Sequence, residues 1–393
     1  MFYDLASTTW GQEEIDAATR VLAEGRFTMG DHVRRFEQAF AARFGLKHAV
    51  MVNSGSSANL VAVAALCQKQ DRPLRPHDEV IVPAISWATT FHPLQQYGLK
   101  LRFVDVDIDT LNMDVSQLEA ALTPKTRMVV GVSILGNPAA LDVMRAFCDN
   151  HGLYLLEDNC ESMGASLNGR PCGTFGHVNT FSTFFSHHIS TMEGGLLVTD
   201  DDELARLARI IRNHGWDRPD PGTHDTQTAE GFFEAYRFVM PGYNVRPLEI
   251  SGAIGVEQLK KLDAMIEQRR ANARLFVDLF AGDERFTLQR EHGRSSWFSF
   301  TIILNAGIDR LRVMQELRAA GIGFRMITGG CFPRHEAIKY FDYDMVNALP
   351  NANRAHDHGF FVGNHPRNLS AEITRLREVL DRAAVSTVST VAR

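Results

Sequence analysis

Seven short apolar, β-branched runs lie between positions 48 and 200: "HAVMV", "DEVIVPA", "RFVDVD", "RMVVGVSIL", "GLYLLED", "NTFSTF" and "GGLLVTD". Several are separated by segments of helical periodicity, such as "ANLVAVAALCQ", "AALDVMRAFCDNHG" and "DELARLARIIRNHG". Buried strands alternating with helices require crossover connections, so the pattern predicts a mostly parallel sheet covered on both faces. The polar, Pro/Gly-bearing "PDPGTHDTQTAE" (Pro219 to Glu230) reads as a surface loop. A long helical stretch runs through "GAIGVEQLKKLDAMIEQRRANARLFVDLF". After it, "SSWFSFTIIL" and "IDRLRVMQELRAAGIGFRM" suggest a small α+β domain, and the terminal "AVSTVSTVAR" is expected to fray. A chain of 393 residues suits such a large α/β unit with a smaller one appended.

Charge and composition narrow the function. The net charge is −6, and no basic run exceeds a few residues, which argues against nucleic acid and anionic membranes as partners. The opening "MFYDLASTTWGQEE" lacks a signal peptide's basic and apolar regions, and no apolar stretch is long enough for a bilayer. Cys67, Cys148, Cys160, Cys172 and Cys331 are never closely spaced, which excludes CxxC zinc or iron–sulfur signatures. Unpaired thiols suit a reducing compartment, and the cytoplasm is expected.

Three places carry chemistry. In "MVNSGSSANL" a strand, a Ser-Gly-Ser-Ser turn and a helix set unpaired backbone N–H groups at a helix N-terminus, where phosphate binds well. Alone, the stretch reads more readily as an ordinary serine N-cap after a tight turn. In "LLEDNCES" Asp158 stands at the carboxyl end of a buried strand, where α/β sheets bind ligands and where an aspartate can pair with a protonated pyridine nitrogen. A capping aspartate looks the same in isolation. Trp87 in "PAISWATT" also follows a strand, and either stacks on a ligand ring or fills a half-buried core position.

Taken in order, SGSSAN, SWATT, EDNCES, FSTFF-HH-ISTMEGG and GYNVRPLE resemble the fold-type I, pyridoxal-phosphate-dependent nucleotide-sugar aminotransferases, the DegT/StrS group. The resemblance covers nearly the whole chain. It implies a large domain over 1–250 with a mostly parallel seven-stranded sheet, and a smaller α+β domain over 251–393. It also implies cofactor contacts: Gly55, Ser56 and Ser182 to the phosphate, Trp87 stacking on the ring, Asp158 on the pyridine nitrogen and Glu161 near the ring. Asn244 matches a residue that reaches the phosphate from the neighbouring subunit, which implies a homodimer with shared active sites.

One position departs from the family. Counting back from Gly194 of the "EGG" turn, the lysine that anchors the cofactor should fall on residue 187, which is His187. The chain has no lysine between Lys125 and Lys260 that could replace it. Histidine at this position resembles the family's sugar 3-dehydratases, of which two sorts are known. One acts on a CDP-linked sugar and carries an iron–sulfur cluster. The other acts on GDP-4-keto-6-deoxy-D-mannose without a cluster, and the scattered cysteines fit that second sort. The resemblance then implies pyridoxal 5'-phosphate and pyridoxamine 5'-phosphate as cofactors, L-glutamate as amino donor and a GDP-linked 4-keto-6-deoxy sugar as substrate. His187 would be the catalytic acid–base, since imidazole moves protons with an unperturbed pKa of about 6.5 but cannot tether the cofactor. An aminotransferase that tolerates the missing lysine and a non-catalytic homologue are the other readings open at this point.

Overall fold

The computed structural model describes residues 2–217 and 228–384. The stretch read as a surface loop from Pro219 lies mostly outside them, as does all of the terminal "AVSTVSTVAR" beyond Ala384. The seven expected strands form: β1 His48–Val52, β2 Glu79–Pro83, β3 Lys100–Val104, β4 Thr126–Val132, β5 Tyr154–Asp158, β6 Val178–Ser182 and β7 Gly195–Thr199. An eighth strand, β8 Tyr343–Met345, comes from the C-terminal part and pairs in parallel with β3. Among the described residues the sheet therefore has eight strands rather than seven, in the order β1-β7-β6-β5-β4-β2-β3-β8. Three residues at a sheet edge are too few to give a periodic signal, which is why β8 escapes a reading of the sequence.

Only β7 runs against its neighbours; the other adjacent pairs from β6 to β8 are parallel. Every residue of β2, β5, β6 and β7 is buried, as expected of strands covered on both faces. The helices Gly55–Gln68, Leu141–His151 and Asp202–Ile211 lie where helical patterning places them. The first is apolar nearly all round and has nine buried residues, so burial rather than amphipathicity holds it.

The 32-residue helix Glu249–Phe280 runs from the large sheet's environment to a second apolar core. There Phe276, Phe280, Phe300, Ile302, Phe360 and Leu376 pack together. This core sits on a four-stranded antiparallel sheet, Phe286–Leu288, Ser299–Leu304, Gly359–Gly363 and Phe324–Arg325, with helices Arg310–Ala319 and Ser370–Ala383 against it. The functional consequence lies at the carboxyl ends of β1, β5 and β6, which converge with the start of β7 beside the N-terminus of Gly55–Gln68.

Candidate active site

The phosphate turn is built by close packing. Ser54 caps the helix Gly55–Gln68, its hydroxyl accepting the Ser57 N–H at 3.0 Å. The other N–H groups of the first turn have no intrahelical acceptor, so they and the helix dipole face outward as an anion site. A Cβ on Gly55 would stand 2.6 Å from Ser182 Cβ and 2.9 Å from Cys160 Sγ, so only glycine lets these three strand ends meet. A Cβ on Gly195 would stand 2.3 Å from the Ser54 carbonyl oxygen, which explains the glycine of the "EGG" turn. Ser56 donates to Thr89 at 2.8 Å, tying this turn to the first turn of the helix Ala88–Gln96.

Asp158 ends β5 and is held by three donors. Its Oδ2 accepts from Asn59 Nδ2 and Thr90 Oγ1, both at 2.8 Å, and its Oδ1 accepts the Cys160 N–H at 3.1 Å. Thr180 donates to Asn59 Oδ1 at 2.6 Å, which fixes the amide with its NH2 toward Asp158. Ser86 shares a 2.8 Å hydrogen bond with Thr90. The carboxylate is thereby oriented while keeping acceptor capacity for a further cationic donor.

The two adjacent histidines have different surroundings. His187 is half-buried, and its Nδ1 lies 2.6 Å from the Cys160 carbonyl oxygen. A carbonyl only accepts, so Nδ1 carries the proton and the neutral ring presents a bare Nε2, the form a proton acceptor needs. Burial is the main cause that lowers its pKa from 6.5 to about 4; the Cys160 carbonyl and Asp158 oppose it. The ring sits edge-on between Phe184 (5.9 Å) and Phe298 (5.1 Å). His188 is fully buried instead, with no hydrogen-bond partner on either ring nitrogen among the described residues, and burial, with Arg269 adding to it, drives its pKa well down.

Glu161 is half-buried beside Asp158. Its Oε2 accepts the Leu135 N–H at 2.8 Å and, more weakly, the Thr328 hydroxyl at 3.4 Å; burial raises its pKa to about 7. Trp87 stands 57% exposed at the N-cap of the Ala88–Gln96 helix, two residues before Thr89, so it borders the site rather than filling a core. Asn244 is exposed and accepts from Arg246 Nε at 3.0 Å within its own chain. It is the one expected site residue that this chain does not gather with the others. Its neighbour Val245 accepts the Asn53 N–H at 3.0 Å, so the segment lies alongside the phosphate turn.

The model of the DegT/DnrJ/EryC1/StrS aminotransferase family matches residues 8–381. The chain belongs to this family. It is 47% identical over 386 residues to the GDP-4-keto-6-deoxy-D-mannose 3-dehydratase of Yersinia pseudotuberculosis, covering 97% of this chain and 98% of that protein. Two crystal structures of a GDP-4-keto-6-deoxymannose-3-dehydratase superpose with TM-scores of 0.92 at 48% identity, covering 96% of this chain and all of theirs. One holds a trapped PLP–glutamate geminal diamine; the other is a histidine-to-asparagine variant with bound GDP-perosamine. The fold is thus the PLP aminotransferase fold.

The residues present fit the family's cofactor. The glycine-walled anion cradle at Gly55 suits its phosphate, and the oriented Asp158 carboxylate suits its ring nitrogen. Sequence reasoning missed four members of the site: Asn59, Thr90, the Cys160 carbonyl and Phe298. Asn59 had a signal, being an amide in an otherwise apolar helix. Phe298 had none, because its place beside His187 depends on how the small sheet docks.

Proposed function

We propose that the protein removes the C3 hydroxyl of a GDP-linked 4-keto-6-deoxy sugar, with GDP-4-keto-6-deoxy-D-mannose as substrate. The products are the 4-keto-3,6-dideoxy sugar and ammonia, and L-glutamate renews the amine form of the cofactor. The observation that carries this reading is His187. It stands at the family's lysine position with Nδ1 pinned to Cys160 and Nε2 free, in a chain with no lysine between Lys125 and Lys260. The near-full-length identity to a 3-dehydratase supports the substrate class.

Pyridoxamine phosphate, when bound, supplies an amine for the C4 ketone and a ring that takes up electrons. The chain's own residues do the rest. Gly55, Ser56 and Ser182 hold the phosphate, and Trp87 covers the ring. Asp158 keeps the ring nitrogen protonated, and Glu161 borders the ring. His187 Nε2 takes up the proton released next to the ring and delivers one to the departing C3 hydroxyl, so the ring need only alternate between its neutral and charged forms. A lysine here would capture the cofactor or return that proton, and the outcome would be an amino sugar.

The same reading makes the protein a homodimer in which Asn244 serves the neighbouring site. The exposed Phe232, Phe233, Tyr236 and Phe238 support it, since apolar patches of this kind seek cover. Sedimentation as a stable monomer would overturn that part. No helix among the described residues is long and apolar enough to cross a membrane. We assign the protein to the cytoplasm and to deoxysugar synthesis for surface polysaccharide such as a colitose-bearing O-antigen. The large unit is taken as 1–250 and the small one as 251–393, on the strength of the second apolar core.

The glutamate half-reaction tests the reading. Purified protein loaded with pyridoxal phosphate and given L-glutamate alone should release one equivalent of 2-oxoglutarate as the cofactor absorbance shifts. Protein that neither binds the cofactor nor releases 2-oxoglutarate would be a non-catalytic homologue.

A further inference from the structure

Three residues that are not glycine hold left-handed backbone where the two sheets meet: Leu135 at φ 52°, Trp297 at φ 47° and Thr328 at φ 39°. Such conformations are disfavoured, most of all for a β-branched residue, and persist only where the surroundings over-determine them. Two of the three converge on one carboxylate. Glu161 Oε2 accepts the Leu135 N–H at 2.8 Å and the Thr328 hydroxyl at 3.4 Å. The Leu135 carbonyl in turn accepts the Phe298 N–H at 3.1 Å. At the next residue, a Cβ on Gly136 would stand 2.7 Å from Phe298 N and 2.8 Å from Trp297 N, so the two segments are in backbone contact. The Phe298 ring then packs on His187 at 5.1 Å with an interplanar angle of 73°.

We infer that Glu161 is a positioning residue for His187: its half-buried carboxylate holds the left-handed turn at Leu135, which holds Phe298 edge-on against the imidazole. The Cys160 carbonyl fixes one edge of the His187 ring, and the aromatic wall fixes its tilt. Without the wall the ring can rotate away from Cys160, and either nitrogen can then carry the proton. This role differs from a contact between Glu161 and the cofactor, because it acts through backbone and through an aromatic side chain. Its effect on catalysis rests on the acid–base role proposed for His187; its effect on the ring does not.

The test reads the ring directly. In protein labelled with 15N-histidine, and with His187→Asn used to assign the signals, wild type should show His187 as a single Nδ1–H tautomer near neutral pH. Glu161→Leu should show a mixture of tautomers and lose about a hundredfold in dehydration rate, the scale of a misplaced catalytic group. Glu161→Gln keeps an acceptor for the Leu135 N–H and should restore the single tautomer. Phe298→Leu, with Glu161 intact, should reproduce the mixture, and it carries the test if Glu161→Leu does not fold. A single Nδ1–H tautomer in both Glu161→Leu and Phe298→Leu would overturn the inference. Loss of rate with an unchanged tautomer would assign Glu161 to cofactor contact alone. If the protein proves not to dehydrate sugars, the tautomer result still decides the structural claim.

Discussion

Replacing Asn59 with alanine probes how the ring-binding carboxylate is aimed. Asp158 has three donors, and Asn59 supplies one of the two on Oδ2, at 2.8 Å. The substitution also strands the Thr180 hydroxyl, which now donates to Asn59 at 2.6 Å. A hydrogen bond to a charged group contributes about 1.5–3 kcal/mol. If that loss falls on the oriented state of Asp158, pyridoxamine phosphate should bind roughly tenfold to a hundredfold more weakly. Thr180→Val keeps the Asn59 amide but frees it to turn, and should cost less than about tenfold. Fluorescence titration of the apoprotein with pyridoxamine phosphate gives both dissociation constants, and far-ultraviolet circular dichroism checks that each variant is folded. Unchanged or tighter binding in folded Asn59→Ala would refute the reasoning. It would mean that Asp158 pairs with the ring better when its donors are fewer.

Other outcomes follow from the same geometry. Borohydride should trap no cofactor on the protein and prolonged dialysis should strip it, because no lysine lies between Lys125 and Lys260; mass spectrometry finding a reduced adduct would contradict this. His187→Asn should cut dehydration by about two to four orders of magnitude with cofactor affinity nearly intact, whereas His188→Asn, altering a buried ring, should act mainly on stability. If activity assays make His188→Asn the dead variant, the roles assigned to the pair are reversed. Burial sets the folded pKa of His187 at about 4, below its ordinary 6.5, so its contribution to stability is present above pH 6.5 and lost as pH falls through 4. Denaturant unfolding should therefore show wild type losing stability relative to His187→Asn across that window, and a pH-independent difference would reject the shift.

Much of this was legible in the sequence because it is local. Each of the seven strand runs is a contiguous apolar stretch, and Asp158 was placed at a strand's carboxyl end by the pattern that follows it. The Ser-Gly-Ser-Ser turn at Gly55 was readable as a helix N-terminus, whereas the close approaches that demand glycine at Gly55 and Gly195 are set by Ser182, Cys160 and Ser54 and appear only in the fold. What escaped depends on distant partners. Strand β8 exists because β3 offers an edge to Tyr343–Met345. Asn59 matters because Thr180, far along the chain, turns its amide toward Asp158. The register count selects His187 from the sequence alone, while the environments of the pair depend on the fold: His187 is half-buried against Cys160 and His188 is fully buried. Asn244, exposed and accepting from Arg246 of its own chain, takes its proposed role only in the proposed dimer.

The central claim is that histidine in place of lysine turns transamination into dehydration. The most direct measurement supplies the purified protein with GDP-4-keto-6-deoxy-D-mannose, L-glutamate and pyridoxal phosphate, then follows ammonia, 2-oxoglutarate and the mass of the nucleotide product. Each sugar consumed should yield one ammonia and one 2-oxoglutarate, with a product lighter than the substrate by one oxygen atom. A product that retains nitrogen, formed without free ammonia, would contradict the account and make the protein an aminotransferase.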